Sequence, residues 1–338
     1  MSDRRSEEPR ALRWARRIGT VGGVFLGLLL SLASAPLWIP GLALLDTIRR
    51  SDWVALRCGA YLTWLLVCEV VGLTCLLVLR IWPASSHDVW LDRHYALEHR
   101  WADALFGGGM RIFGLELEVE GAEAFRNGGP ILLFIRHVTV VDALLPAMVA
   151  SIPYGIRFRY VLKQELRIDP CLDITGDRLP SAFVRRGLPD GSAELARVVS
   201  LAEDLGPRDG VVIYPEGTRF TAARRARVLE KLETSGDMER LQAARSFEHV
   251  LPPRLGGVNG LIDAAPDADV VFCAHTGLER VTRLGDLFRG RAVGARLRVR
   301  CWRVSASQIP ADLAARLKWL DAEWQRVDRF VGEHSAKT

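Results

Sequence analysis

Residues 130–142 read Pro-Ile-Leu-Leu-Phe-Ile-Arg-His-Val-Thr-Val-Val-Asp and form the most informative stretch of the sequence. Its apolar run, preceded by glycine and proline, predicts a buried strand over residues 131–135. The strand would deliver His137 into a turn and Asp142 into the start of a helix. A carboxylate at that position can accept the imidazole N–H, fix the tautomer and stabilise the charge that a protonated ring carries. The stretch therefore predicts a candidate catalytic base at the end of a strand.

The spacing of His137 and Asp142 is not diagnostic alone, because His87 and Asp92 repeat it. On a continuous helix, at about 100° per residue, positions five apart point roughly 140° away from each other. The predicted pair therefore requires His137 to lie in the turn before the helix. His87 lies instead in a polar loop that enters a helix, and no strand is predicted before it. We interpret His87 and Asp92 as a chance match.

Further short apolar runs flanked by breakers predict strands on both sides of this stretch. The seven predicted strands cover residues 115–119, 131–135, 158–162, 182–185, 211–214, 270–274 and 297–304. Helical patterns cover residues 87–113, 143–150, 193–205, 224–247 and 311–331. Alternation of this kind predicts an α/β domain with a central mixed sheet flanked by helices.

The N-terminal region predicts a membrane hairpin. Residues 1–17 form a basic arm with six arginines, and residues 18–45 then carry no charge, which exceeds the ~20 residues needed to cross a bilayer. A second apolar run covers residues 58–79. We therefore assign residues 18–82 to a two-helix membrane hairpin and residues 83–338 to the catalytic domain. The basic arm places the N-terminus, and after two crossings the catalytic domain, on the cytoplasmic side.

Two alternatives for this region stay open. Ala33-Ser34-Ala35 resembles a signal-peptidase site, although Pro36 would directly follow the cut. The hairpin could also lie within one leaflet, because prolines at 36 and 40 would break the first helix and Glu69 is costly in lipid. We favour a hairpin that spans the membrane.

The composition indicates which kind of molecule the protein binds. The chain has 338 residues, 49% of them hydrophobic, and a formal net charge of +5 that rests mostly on arginine. Such a charge favours anionic partners, and because no nucleic-acid-binding module accompanies it, we expect phospholipid and not nucleic acid. The six cysteines lack metal-ligand spacing and indicate a reducing compartment, with neither a metal site nor a disulfide framework.

A second informative stretch is Val-Val-Ile-Tyr-Pro-Glu-Gly-Thr-Arg at residues 211–219. A buried strand ends at a proline, and the turn after it presents a carboxylate, a glycine, a hydroxyl and a guanidinium. Thr218 and Arg219 can together bind a phosphate, and Gly217 allows its close approach to the backbone. The glycine patterns of nucleotide-binding loops do not occur here.

These motifs together resemble the glycerolipid acyltransferase family, which includes the 1-acylglycerol-3-phosphate (lysophosphatidate) acyltransferases. The resemblance covers residues 110–330. It rests on His137 and Asp142, on Tyr-Pro-Glu-Gly-Thr-Arg at 214–219, and on a middle block with Lys163, Arg185 and Arg186. His-Val-Leu-Pro-Pro-Arg at 249–254 is similar to the branch of eukaryotic-type lysophosphatidate and lysocardiolipin acyltransferases. Arg136 departs from the family, which usually has a small polar residue there.

The resemblance implies acyl transfer from a thioester to a glycerol hydroxyl, on a glycerolipid acyltransferase-like fold. His137 would take the proton of the hydroxyl while Asp142 holds the imidazole. Acyl-CoA or acyl carrier protein would be a co-substrate, and no cofactor is implied. The implied substrate-binding residues are Lys163, Arg185, Arg186, Glu216, Gly217, Thr218, Arg219 and Arg254.

The leading hypothesis from the sequence is a membrane-bound enzyme that converts lysophosphatidate to phosphatidate for phospholipid synthesis. Arg136 and the Pro-Pro-Arg block keep another lysophospholipid acceptor, such as lysocardiolipin, as an alternative. A lipid-binding membrane scaffold without activity is a third hypothesis. The intact pair of His137 and Asp142 argues against it, because a scaffold needs neither residue.

Overall fold

The computed structural model of the protein describes residues 8–139, 141–185, 192–281 and 284–335, and within them all seven predicted strands form. The strands are β1 (Glu116–Glu120), β2 (Ile131–Ile135), β3 (Arg157–Lys163), β4 (Ala182–Val184), β5 (Asp209–Ile213), β6 (Asp269–Thr276) and β7 (Arg296–Val304). They form one sheet in the order β1-β7-β6-β2-β5-β3-β4. β6 and β7 are antiparallel, whereas β2 pairs in parallel with β5 and with β6. The prediction of a mixed α/β sheet flanked by helices is confirmed.

The register of β2 with its two neighbours positions the site. Ile135 pairs with Cys273 of β6, and Phe134 pairs with Ile213 of β5. Parallel strands carry their carboxyl ends to the same edge of a sheet. The residues that follow Ile135 in β2, Ile213 in β5 and Cys273 in β6 therefore lie at the same edge of the sheet.

Twelve helical segments of α type connect and flank the strands in the described residues. They are α1 (Arg10–Ala33), α2 (Ala35–Arg49), α3 (Val54–Ile81), α4 (His87–Phe113), α5 (Ile152–Tyr154), α6 (Pro170–Arg178), α7 (Ser192–Val199), α8 (Ala222–Ser235), α9 (Met238–Arg245), α10 (Leu255–Ala264), α11 (Leu284–Leu287) and α12 (Leu313–Ser335). The helix predicted over residues 87–113 is confirmed at both ends.

Other helix predictions need correction. The single helix predicted over residues 224–247 is two helices, because Gly236 ends α8 in the left-handed conformation with φ +74° and Asp237 caps α9. Residues 143–150 form no regular α-helix; a 3₁₀ turn (Val141–Leu144) and a π-helical turn (Ala147–Ser151) occupy this stretch. The helix predicted over 193–205 ends earlier, with α7, and continues as a 3₁₀ turn.

The N-terminal region contains three helices where the sequence predicts two. The first predicted segment, residues 18–45, is divided between α1 and α2 at Ser34, and Pro36 lies in the first turn of α2. Proline favours the first turn of a new helix, which explains the break. α1 and α3 are long and apolar enough to cross a membrane by length and composition.

The chain divides into two compact units, of which the first comprises residues 1–116, 161–191 and 283–295. In this unit α3 packs against α1 and α4. The buried carboxylate of Asp173 in α6 accepts hydrogen bonds from Arg17 (2.7 Å) and Arg167 (2.6 Å), and Arg16 lies 2.7 Å from it. This ion cluster attaches the basic end of α1 to α6.

The second unit comprises residues 117–160, 192–282 and 296–338. All five residues of β2 are fully buried in its core. α12 packs on β6. From α12, Asp328 accepts the backbone N–H groups of His249 (2.6 Å) and Val250 (3.0 Å), and Trp324 Nε1 donates to the carbonyl of Leu251 (3.0 Å). α12 thereby fixes the segment that precedes the Pro-Pro-Arg block.

Candidate active site

His137 lies in the turn that follows β2, as the sequence predicts. Its Nδ1 is 3.3 Å from Oδ2 of Asp142. Because an ionised carboxylate only accepts, Nδ1 carries the proton in this contact and the basic lone pair lies on Nε2. The side chain of His137 is 12% exposed, whereas that of Asp142 is 1% exposed. The arrangement combines a reachable base with a buried partner that orients it.

The turn folds around the carboxylate of Asp142. Oδ2 also accepts the backbone N–H groups of Val138 and Thr139, the latter at 2.7 Å. Burial disfavours the charged form of Asp142. The neighbouring imidazoles and the backbone N–H of Val138 outweigh burial, so the pKa of Asp142 lies below its usual value. Asp142 is therefore ionised when His137 takes a proton, and its negative charge stabilises the protonated imidazole.

Glu216 connects the two informative stretches of the sequence. Its Oε1 accepts the backbone N–H of His137 at 2.9 Å, and its Oε2 accepts the backbone N–H of Leu251 at 2.9 Å. The backbone N–H of Phe220 donates to the carbonyl of His137 at 3.0 Å. The segment 216–220 thus holds the backbone of His137 on both sides.

This geometry changes the interpretation of Glu216, which the sequence placed among the substrate-binding residues. The residue is 1% exposed, and both of its carboxylate oxygens bind backbone N–H groups. Burial raises the pKa of Glu216 to about 7, although Arg136 and the two N–H donors favour the ionised form. Glu216 positions the turn of His137, and its predicted role in substrate binding stays a prediction.

Gly217 and Arg254 lie against each other. Gly217 adopts φ +66°, and a Cβ at this position would lie 2.6 Å from Cδ of Arg254. The backbone N–H of Arg254 donates to the carbonyl of Pro215 at 2.8 Å. Because Gly217 has no side chain, the exposed guanidinium of Arg254 can cross the turn. Thr218 and Arg219 follow in the same turn and are half-buried.

The middle block predicted for substrate binding lies in the first compact unit. Lys163 ends β3 and Arg185 directly follows β4. These strands are parallel, with Lys163 opposite Val184, so Lys163 and Arg185 share one edge of the sheet. Lys163 is half-buried and Arg185 is exposed. Arg186 lies outside the described residues, and its predicted role stays a prediction.

The sequence analysis assigned no catalytic or substrate-binding role to three residues that surround His137. The ring of Tyr214 packs on the imidazole of His137, with the ring centroids 4.4 Å apart. Arg136 is 1% exposed and donates to the carbonyl of His275 (2.8 Å) and to Glu279 (2.6 Å), so its side chain supports the turn from inside. The third residue is His275, whose ring lies behind Asp142. Tyr214 could have been found from its position at the end of a predicted strand.

No group of three or more His, Cys, Asp or Glu residues is arranged to hold a metal ion in the part of the chain that the structure describes. The six cysteines are free thiols.

Two comparisons with known proteins bear on this site. The family model described as Acyltransferase matches residues 116–274. The fold is similar to the crystal structure of the 1-acyl-sn-glycerophosphate (LPA) acyltransferase PlsC from Thermotoga maritima, with a TM-score of 0.55 and 12% sequence identity over 81% of this chain and 95% of that chain. At this identity the likeness shows the fold alone. A comparison with curated protein sequences gives no match.

Proposed function

We propose that this chain, which carries an acyltransferase domain in residues 116–274, transfers a fatty acyl group from a thioester to the free hydroxyl of lysophosphatidate. The product is phosphatidate, and the donor is acyl-CoA or acyl carrier protein. The observation that carries the proposal is the contact between His137 and the buried carboxylate of Asp142. The family match supports the reaction class.

The reaction follows from the chemistry of this pair. Nε2 of His137 takes the proton of the acceptor hydroxyl while the hydroxyl oxygen attacks the thioester carbonyl. The resulting imidazolium is stabilised by Asp142. The tetrahedral intermediate then expels the thiolate, which receives the proton from His137. One ester bond forms, one thioester bond breaks, and the free thiol leaves. A protein nucleophile is not required, because the acceptor hydroxyl itself attacks the carbonyl.

The turn after β5 provides cationic groups for the phosphate of the acceptor. Arg254 crosses Gly217, and Arg219 and Thr218 follow in the same turn. A guanidinium can bind a phosphate through two parallel hydrogen bonds, and a hydroxyl can add a third. Because Glu216 bonds to the backbone of His137, the turn that would hold the phosphate is attached to the turn that holds the base.

Membrane attachment is the second element of the proposal. α1 and α3 have the length and apolarity of membrane-spanning helices, and α1 begins with the basic residues Arg10, Arg13, Arg16 and Arg17. We assign the N-terminal region to the membrane and the active site to its cytoplasmic face. A lysophospholipid acceptor resides in the same bilayer, so attachment would bring the enzyme to its substrate.

An acceptor panel tests the proposed function. The purified full-length protein is incorporated into phospholipid vesicles and supplied with labelled oleoyl-CoA or oleoyl-acyl carrier protein. Parallel reactions contain lysophosphatidate, lysocardiolipin, other lysophospholipids or no acceptor. We expect labelled phosphatidate to form preferentially. Preference for another acceptor would keep the chemistry and change the substrate. Thioester loss without acceptor would indicate hydrolysis, and absence of turnover with both donors would favour a lipid-binding scaffold.

A further inference from the structure

A second histidine lies behind the carboxylate of Asp142. His275 belongs to β6 and is 5% exposed. Its Nε2 is 2.8 Å from the carbonyl oxygen of Arg136. Since a carbonyl oxygen only accepts hydrogen bonds, Nε2 of His275 carries a proton and donates it to the residue that directly precedes His137.

The same nitrogen faces the second oxygen of Asp142. Oδ2 of Asp142 receives His137 and two backbone N–H groups, whereas Oδ1 is buried and has no hydrogen-bond partner among the described residues. Nε2 of His275 lies 3.8 Å from Oδ1. A buried carboxylate oxygen without a donor is unfavourable, and a polar N–H at this distance offsets part of that loss electrostatically. Each oxygen of the carboxylate therefore faces one imidazole.

The sheet and Arg136 fix His275 in this position. The parallel register pairs Ile135 with Cys273, so the last residues of β6, which include His275, continue beside the turn that carries His137. Arg136 Nη1 donates to the backbone carbonyl of His275 at 2.8 Å, while the ring of His275 donates to the backbone carbonyl of Arg136. This reciprocal pair of contacts holds the ring toward Asp142.

We infer that His275 is a positioning residue of the active site, which holds the backbone before His137 and supports the second oxygen of Asp142. The inference rests on the proposed function and extends it to a residue outside the predicted motifs. The ring of His275 donates to the backbone carbonyl of Arg136 and lies 3.8 Å from the carboxylate of Asp142, and neither partner is a predicted substrate-binding residue. Its loss should therefore lower kcat and leave the KM values for donor and acceptor nearly unchanged.

Two substitutions of similar volume separate donation from packing. His275→Gln keeps an N–H that can reach the carbonyl of Arg136, whereas His275→Leu fills the space without a donor. We expect His275→Leu to lower kcat about 10- to 50-fold, with both KM values within about twofold of wild type. His275→Gln should stay within about fivefold of the wild-type kcat. His334→Ala, in α12, is the matched control and should leave kcat unchanged.

A coupling measurement with Asp142→Asn distinguishes positioning from a general structural role. If His275 acts through Asp142 as well as through the backbone of Arg136, the loss in kcat caused by His275→Leu should be at least about threefold smaller in Asp142→Asn than in the wild type. The inference is contradicted if His275→Leu has a wild-type kcat, if His275→Gln loses as much as His275→Leu, or if the two losses multiply. Should His275→Leu fail to fold, His275→Gln decides: a loss above about 50-fold contradicts the inference.

The wild-type reaction separates the two proposals. A wild-type protein that transfers no acyl group contradicts the proposed function and, with it, the role of His275. A wild-type protein that transfers acyl groups while His275→Leu equals it contradicts the role of His275 alone.

Discussion

His87 and Asp92 repeat the spacing of His137 and Asp142, but the two pairs lie on different kinds of backbone. His87 is the first residue of α4, and its ring stacks on Trp90 with the ring centroids 5.7 Å apart. Asp92 lies on the same continuous helix, where residues five apart point roughly 140° away from each other. His137 instead precedes a 3₁₀ turn that begins at residue 141, and Nδ1 meets the carboxylate of Asp142 at 3.3 Å.

The comparison teaches that spacing creates an acid–base pair only where the backbone turns between the two residues and buries the carboxylate. Asp142 is 1% exposed and receives two backbone N–H groups, whereas the side chain of Asp92 lies at a half-buried position on a helix. The first environment orients the imidazole of His137, five residues away in the sequence.

The largest effect is expected from removal of the base. His137→Ala should lower kcat/KM for acyl transfer at least about 100-fold, since positioned general bases contribute 10²- to 10⁴-fold. His87→Ala should stay within about twofold of wild type. Initial rates in vesicles measure both values. Equal losses in the two variants would mean that the geometry of the strand end is irrelevant to activity.

Removal of the charge on the orienting carboxylate should have the next largest effect. Asp142→Asn keeps the shape of the side chain but no longer stabilises the imidazolium or selects the Nδ1–H tautomer. We expect kcat to fall about 50-fold, with the KM of the acceptor within about threefold. Asp92→Asn serves as the matched variant and should retain its kcat. A large loss in Asp92→Asn would show that α4 contributes to catalysis.

Acid titration should reveal the buried carboxylate through stability. The pKa of Asp142 is lower in the folded protein than its usual value of about 3.9. Its ionised form therefore stabilises the fold above that value, and the contribution is lost as the pH falls through the lower, folded pKa. Chemical denaturation should show that the difference in free energy of unfolding between wild type and Asp142→Asn shrinks from pH 6 toward pH 3. A difference that grows over this range would contradict the assignment.

The smallest effect is expected from alanine substitutions at two glycines. Gly217 and Gly236 have similar φ angles of +66° and +74°, but a Cβ would meet Arg254 at Gly217 and nothing within 4 Å at Gly236. Alanine should destabilise both sites by about 1 kcal/mol, because both need the left-handed conformation. Only Gly217→Ala should displace Arg254 and raise the KM of the phosphate-bearing acceptor, by about fivefold. An equal KM for the acceptor in both variants would show that Arg254 does not contribute to acceptor binding.

The strands could be predicted because each is a short apolar run between breakers. β2 illustrates this directly, since its predicted and observed limits coincide and all its side chains are buried. Helix α10 was not predicted, because glycines at 256, 257 and 260 argue against a helix. The structure explains one of them: a Cβ on Gly260 would lie 2.4 Å from Cγ2 of Val199, so glycine allows close packing on α7. Tertiary packing of this kind is invisible in a single sequence.

The base and its orienting residue could be predicted because they lie close together in sequence. His275 could not, because its approach to Asp142 depends on the pairing of β6 with β2, which joins residues more than a hundred positions apart. Glu216 was recognised by its motif, but its contacts with the turn of His137 could not be, because only the structure shows that backbone N–H groups bind both carboxylate oxygens. Residues that lie close together in the sequence could be assigned a catalytic role, whereas the residues that position them could be identified only from contacts between distant segments.

A double-mutant cycle of His137→Ala and Asp142→Asn tests the central claim most directly, namely that imidazole and carboxylate act as one unit. Acyl transfer to lysophosphatidate is measured in vesicles for wild type, both single variants and the double variant, at equal protein content. Residues that act as a unit show strongly non-additive losses. We expect the double variant to retain the residual rate of His137→Ala within about threefold. A further loss of about 50-fold in the double variant would show that Asp142 acts independently of His137 and would contradict the account.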